Sequence, residues 1–203
     1  KLGKTMQFET LNVDNIAGHI ALMTEGAKET LGILCHLDVV PAGQGWTTPP
    51  FSADIRNNRI YARGAIDDKG PTIAALYAMK IVKDLNIPFT QNIKMILGTD
   101  EETKWRGIRR YLKQVPMPDI AFAPDANFPL IYGEKGILSL DITGKDSSDE
   151  LYLFSSGERY NVVPDHAEAK VKGNFSDSFK IFLEERKVHG SVEQEGELFI
   201  YKL

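Results

Sequence analysis

The chain has 203 residues and a net charge of −4, with 24 Lys and Arg against 28 Asp and Glu. That balance argues against a general nucleic-acid binder. Its 42% hydrophobic and 26% charged residues are ordinary globular composition, which sets aside a mainly disordered or coiled-coil organisation. The length suits one domain or two small ones. A single cysteine allows no internal disulfide and fits a reducing compartment. No run of about 18 apolar residues is present to span a membrane, and the first residues carry neither a signal-peptide nor a transit pattern. A cytoplasmic protein is therefore expected. Lys1 in place of Met suggests that the chain begins inside a larger protein.

Residues 30–40 (TLGILCHLDVV) are almost continuously apolar and rich in branched side chains, the pattern of a strand buried on both faces of an α/β sheet. The run ends in His36 and Asp38. A turn-rich loop follows (PAGQGWTTPP), and its Trp46 suits either a substrate-side loop or one packed down by aromatics. Asn57-Asn58 marks a hairpin between SADIR and RIYARG. Gly70-Pro71 opens a helix to about Leu85, because Pro is harmless in a first helical turn. Strands are expected at 92–98, 119–124 and 136–143, with a helix at about 105–115. Past Gly144 comes a charged, serine-containing connector (KDSSDE). Beyond it lie short strands (ELYLFSS, AEAKVKG), a helix at about 176–187 and a last strand, GELFIYKL. This texture divides the chain into an α/β domain over 1–144 and the start of a smaller α+β domain over 145–203.

Ligands of open α/β sheets collect at the carboxyl ends of the parallel strands. Three expected strand ends carry metal-ligating types: His36 with Asp38, Asp100-Glu101-Glu102, and Asp125 after Pro124. Asp67-Asp68 sits in the loop before the helix at Pro71. Crowded carboxylates repel one another, so their convergence would call for divalent cations. Asp67 could bridge two metals, which in two-metal sites lie ~3.5–4 Å apart, or it could cap the helix. Of Glu101 and Glu102, one could ligate a metal while the other holds water, or both could lie in a solvated acidic loop. Asp125 has the same two readings. His36 with Asp38 could equally be a buried, hydrogen-bonded pair. Cys35 reads as a small buried hydrophobe. His19, His166 and His189 have no partner at ligand spacing.

Taken in order, H-L-D-V-V-P-A-G…W…P-P-F, R-G-A-I-D-D-K-G-P, G-T-D-E-E-T and P-D-A-N-F-P resemble the di-zinc metallopeptidases. That family includes aminoacylases, succinyl-diaminopimelate desuccinylases, glutamate-releasing carboxypeptidases and carnosinases. Within it, P-A-G-Q-G-W, Y-G-E-K-G and N-V-V-P-D-H-A are most similar to bacterial dipeptidases of the dipeptidase V type. The resemblance implies a three-layer α/β catalytic domain, present in part, and the beginning of a lid domain. It implies two Zn2+ per complete site, with Mn2+ or Co2+ as substitutes. His36 and Asp125 resemble ligands of the first zinc, Asp67 the bridging ligand, Glu102 a ligand of the second, Glu101 the general base, and Asp38 the aspartate that supports the histidine. It also implies a cis peptide between Asp67 and Asp68. Asp68, Lys69 and Gly70 match the motif without being expected as ligands. The expected partner is a small peptide substrate, and nothing in the sequence sets an oligomeric state.

The chain covers less than half of the family's usual length. The second zinc's histidine and the groups for the substrate carboxylate are expected outside it, so the isolated chain is expected to be weakly active or inactive. The two rival expectations are a deacylase of N-acyl amino acids with the same fold, and a non-catalytic metal-binding fragment.

Overall fold

The apolar run that begins at Thr30 becomes the inner strand of a sheet and stops at His36. In the computed structural model, which describes residues 1–145, 149–157, 160 and 163–203, the chain forms two compact units, Lys1–Gly133 and Glu134–Leu203. The connector KDSSDE expected at 145–150 falls partly on 146–148, and Asn161-Val162 of N-V-V-P-D-H-A lie with them outside the described residues.

The first unit runs α1 (Leu2–Thr5), β1 (Glu9–Val13), β2 (Ala17–Leu22), β3 (Thr30–His36), β4 (Asp54–Arg56), β5 (Arg59–Tyr61), α2 (Gly70–Asp84), β6 (Asn92–Gly98), α3 (Arg106–Tyr111) and β7 (Ile120–Phe122). Five strands form one sheet in the order β1-β2-β6-β3-β7. β3, β6 and β7 are parallel, whereas β1 and β2 are antiparallel to their neighbours. β4 and β5 make the hairpin expected around Asn57-Asn58, and both asparagines are left-handed.

Alternation along the strands sorts the core into two faces. Ile33, Cys35 and Met95 pack with Phe8 and with Leu76 and Met79 of α2. Ile96, one residue on, turns to the other face and packs with Val13, Ala17, Tyr111 and Val115. Helix, sheet and helix thus form three layers, an α/β arrangement as the sequence implies. On the α3 side, the buried His19 and Tyr111 meet edge-on, with Nδ1 and the phenol oxygen 2.7 Å apart. Burial holds the His19 imidazole below its usual range and pushes the Tyr111 phenol up to about 12. The phenol therefore donates to a neutral ring, and His19 ties β2 to α3.

The second unit holds β8 (Leu151–Ser156), β9 (Ala167–Val171), α4 (Ser176–Arg186), β10 (Ser191–Glu195) and β11 (Leu198–Lys202). Its strands pair antiparallel in the order β10-β11-β9-β8. Phe179 of α4 meets Tyr201 of β11 edge-on at 5.1 Å between ring centres. Residues 136–143 differ from expectation. They carry an alternating pattern but form no strand, and Ile137, Leu138, Leu140 and Ile142 are exposed. Alternation describes a surface that a neighbouring strand could use, and it makes no ladder where none is alongside.

Leu76 and Ile73 lie on the same helix, one 2% and the other 44% exposed. Leu76→Ala should destabilise the chain by roughly 2–5 kcal/mol, and Ile73→Ala by less than about 1 kcal/mol. Urea unfolding midpoints at constant m-value measure both, and equal losses would contradict the burial of Leu76 beside an exposed Ile73.

Candidate metal centre

His36 pairs in register with Gly98, and Ile33 with Phe122. The carboxyl ends of β3, β6 and β7 therefore open on one side of the sheet. Asp38, Asp100 to Glu102 and Asp125 follow those three ends directly. Asp67 arrives from the wide turn Ala65–Lys69 ahead of α2, which the Lys69 N–H closes onto the Gly64 carbonyl at 3.1 Å. The Asp67–Asp68 peptide is cis. α2 starts with Pro71 in its first turn and no side-chain cap, so Asp67 does not cap the helix. Its Oδ1 lies 2.9 Å from His36 Nε2, and Asp125 Oδ2 lies 3.4 Å from the same nitrogen.

Two groups of potential ligands share His36. One is His36, Asp67 and Asp125, and the other is His36, Glu101 and Glu102. Within each, the ligand atoms lie within 4.8 Å of one another. The imidazole is 3% exposed, and the Asp67 and Asp125 side chains are 58% and 31% exposed. The nitrogen thus forms a floor with carboxylates above it. All six side chains marked in the sequence come together here. His166 and His189 belong to the other unit, and Cys35 is buried among apolar side chains, where burial pushes its thiol up to about 11.

The charges strain against one another. Burial lowers the His36 pKa, but the Asp67 hydrogen bond and the charges of Asp125, Glu101 and Asp38 together push it above the usual value. Burial raises the Glu101 carboxyl; the His36 charge opposes this, and Glu102, Asp125 and Asp38 add to it. Burial also raises Asp125, with Asp68, Asp67 and Glu102 adding to it against His36. One nitrogen and several carboxylate oxygens are a donor set that suits zinc and, with more oxygen ligands, manganese. A divalent cation would relieve the repulsion that this crowding creates, so the residues present fit such an ion.

The sequence profile of Peptidase family M20/M25/M40 matches residues 32–193. The chain belongs to this family. Its metallopeptidases use zinc or a similar divalent metal. Among its curated relatives, the Bacillus subtilis protein named "Putative dipeptidase YtjP" is 50% identical over 210 residues, covering 98% of this chain and 44% of the relative. A Staphylococcus aureus protein, also named a "Putative dipeptidase", is 51% identical over 197 residues, covering 90% of this chain and 41% of that one. The chain therefore spans less than half the length of either. Among solved structures, an M20 family metallo-carboxypeptidase from Sulfolobus solfataricus is 30% identical. It superposes with a TM-score of 0.54 over 62% of this chain and 31% of that one.

In the sequence, Asp68 is a motif residue not expected to be a ligand and given no role. It is completely buried, and its Oδ2 accepts the His36 backbone N–H at 3.1 Å and the Thr72 hydroxyl at 3.1 Å. The carboxylate thus ties the end of β3 to the first turn of α2. Its only sequence signal was its place beside Asp67, and two adjacent aspartates cannot be told apart by type. Asp100 also supports rather than faces the site. Burial opposes its ionisation, but the N–H groups of Gly107 and Arg106 and the Arg106 guanidinium hold its carboxyl below the usual range. Gly107 is needed there, since a Cβ would fall 2.3 Å from the Ile16 carbonyl oxygen.

Asp68→Ala leaves a buried N–H and a buried hydroxyl without their acceptor. It should cost about 2–4 kcal/mol in urea unfolding, with Asp68→Asn losing less because one acceptor oxygen remains. An unchanged midpoint in Asp68→Ala would show that the carboxylate does not support His36.

Proposed function

We propose that this chain carries the metal-holding part of a dipeptidase active site, in which a water activated by Glu101 hydrolyses a small peptide. The observation that carries the reading is the sharing of His36 between two ligand groups, with Glu101 inside one of them. His36, Asp67 and Asp125 would hold one Zn2+, and Asp67 with Glu102 would hold part of a second. Mn2+ or Co2+ would be chemically acceptable substitutes. When bound, the ions would polarise the scissile carbonyl and make water acidic enough to attack near neutral pH.

The remaining work falls to side chains of this chain. Glu101 takes the proton of the attacking water and returns it to the leaving amine, the role of a general base turned general acid. Its half-buried place among other carboxylates favours holding that proton between the two steps. The names of the relatives point to dipeptides as substrates. Residues 145–203, within the second unit, would begin the lid domain, and a cytoplasmic location fits the lone buried thiol. Among the described residues no helix is long and apolar enough to cross a membrane.

In a polypeptide of the relatives' length that carries this chain, Glu101→Gln should keep its zinc and lose roughly 10²–10⁴-fold in turnover. Near-parental turnover at equal zinc content would remove Glu101 from the reaction. A panel of dipeptides against N-acyl amino acids reads the substrate class. Faster turnover of the acyl compounds would replace the dipeptidase reading with the deacylase one.

A further inference from the structure

We infer that the Asp38 carboxylate is a positioning group for Glu101 and Glu102, acting on their backbone. The residue touches His36 mainly by its main chain, whose carbonyl oxygen lies 3.0 Å from His36 Nδ1. The nearer carboxylate oxygen is 3.5 Å from that nitrogen. Both oxygens are engaged elsewhere. Oδ1 accepts the Glu101 N–H at 3.1 Å, and Oδ2 accepts the Glu102 N–H at 3.1 Å.

The place of these bonds explains their value. The ladder between β3 and β6 continues one step past His36 and Gly98, where the Leu37 N–H donates to the Gly98 carbonyl at 2.9 Å. Beyond it Thr99 and Asp100 carry the chain into a loop, and among the described residues no main-chain oxygen of β3 accepts the Glu101 or Glu102 amide. The carboxylate takes over as a forked acceptor for both. Hydrogen bonds to an ionised acceptor are roughly twice as strong as neutral ones. From the other side, Asp100 gathers the same loop onto the start of α3 through Arg106 and Gly107. The two glutamates are therefore carried on a segment fixed at both ends. Asp38 sets their distance from His36, because among the described residues it alone bonds both the imidazole and the glutamate backbone.

An amide side chain offers one acceptor oxygen where the carboxylate offers two. Asp38→Asn must then leave the Glu101 or the Glu102 N–H facing an NH2 donor. Amide hydrogen exchange, read residue by residue by NMR on the metal-free 203-residue chain, tests this. In Asp38→Asn one of these two amides should exchange roughly tenfold faster or more, while core amides such as those of Ile33 and Met95 keep their rates. Unchanged rates at both glutamates would overturn the inference, as would a uniform acceleration that includes the core. Should the variant fail to fold, the unsubstituted chain still decides. Its Glu101 and Glu102 amides must exchange slowly, and rates of free loop amides would refute the clamp.

The kinetic part rests on the proposed role of Glu101. In a polypeptide of the relatives' length, Asp38→Asn should lower kcat with KM little changed, since the base moves while peptide contacts stay. Slow exchange of both amides together with a fully active Glu101→Gln would sink the hydrolytic reading alone. Fast exchange beside an inactive Glu101→Gln would sink the clamp alone.

Discussion

The structure turns on one buried imidazole surrounded by carboxylates. His36 sits at the floor of the site with Asp67 and Asp125 within 3.4 Å of its Nε2. Glu101 and Glu102 also stand within ligand reach. Such a cluster is costly in a half-buried place, because each charge raises the price of the next. A cation at its centre would turn the repulsion into attraction. The rest of the first unit holds these groups close despite that repulsion.

The holding is done by other carboxylates, which face backbone rather than the site. Asp68 binds the His36 N–H and the first turn of α2. Asp38 binds the amides of Glu101 and Glu102. Asp100 binds the amides that open α3. In Asp67-Asp68 one member faces the site while its neighbour fixes the main chain, and Asp100 does the same beside Glu101 and Glu102. Beneath them, the parallel strands β3, β6 and β7 bring their ends to one side. α2 and α3 pack on opposite faces of that sheet.

Much of this was legible in the sequence. A run of branched residues ending in His36, a helix opened by Gly70-Pro71 and acidic residues just past strand ends each report local chemistry. Five of the six marked side chains meet because they lie at or just past the ends of the parallel strands, and Asp67 joins them from the turn ahead of α2. What escaped depended on distant partners. The hairpin of β1 and β2 is the exception, a local turn at Asp14 and Asn15, both left-handed. The alternation over 136–143 is indistinguishable from that of a paired strand until its neighbours are known. The acceptor role of Asp38 joins residues more than sixty apart in the chain, and no spacing rule reaches that far. Asp67 and Asp68 are the same residue type, so only the turn geometry separates the one that faces the site from the one that anchors it.

The central claim is that the carboxylates around His36 form a cation site. Equilibrium zinc titration of the 203-residue chain, compared with its His36→Ala variant, tests it most directly. Three protein ligands are normal for a catalytic zinc. His36, Asp67 and Asp125 supply that number for one ion, while Asp67 and Glu102 supply two for another. The account predicts one tightly bound zinc and a second, weaker one, with the tight site lost in His36→Ala. Zinc uptake that is absent, or that is the same with and without the His36 imidazole, would contradict it.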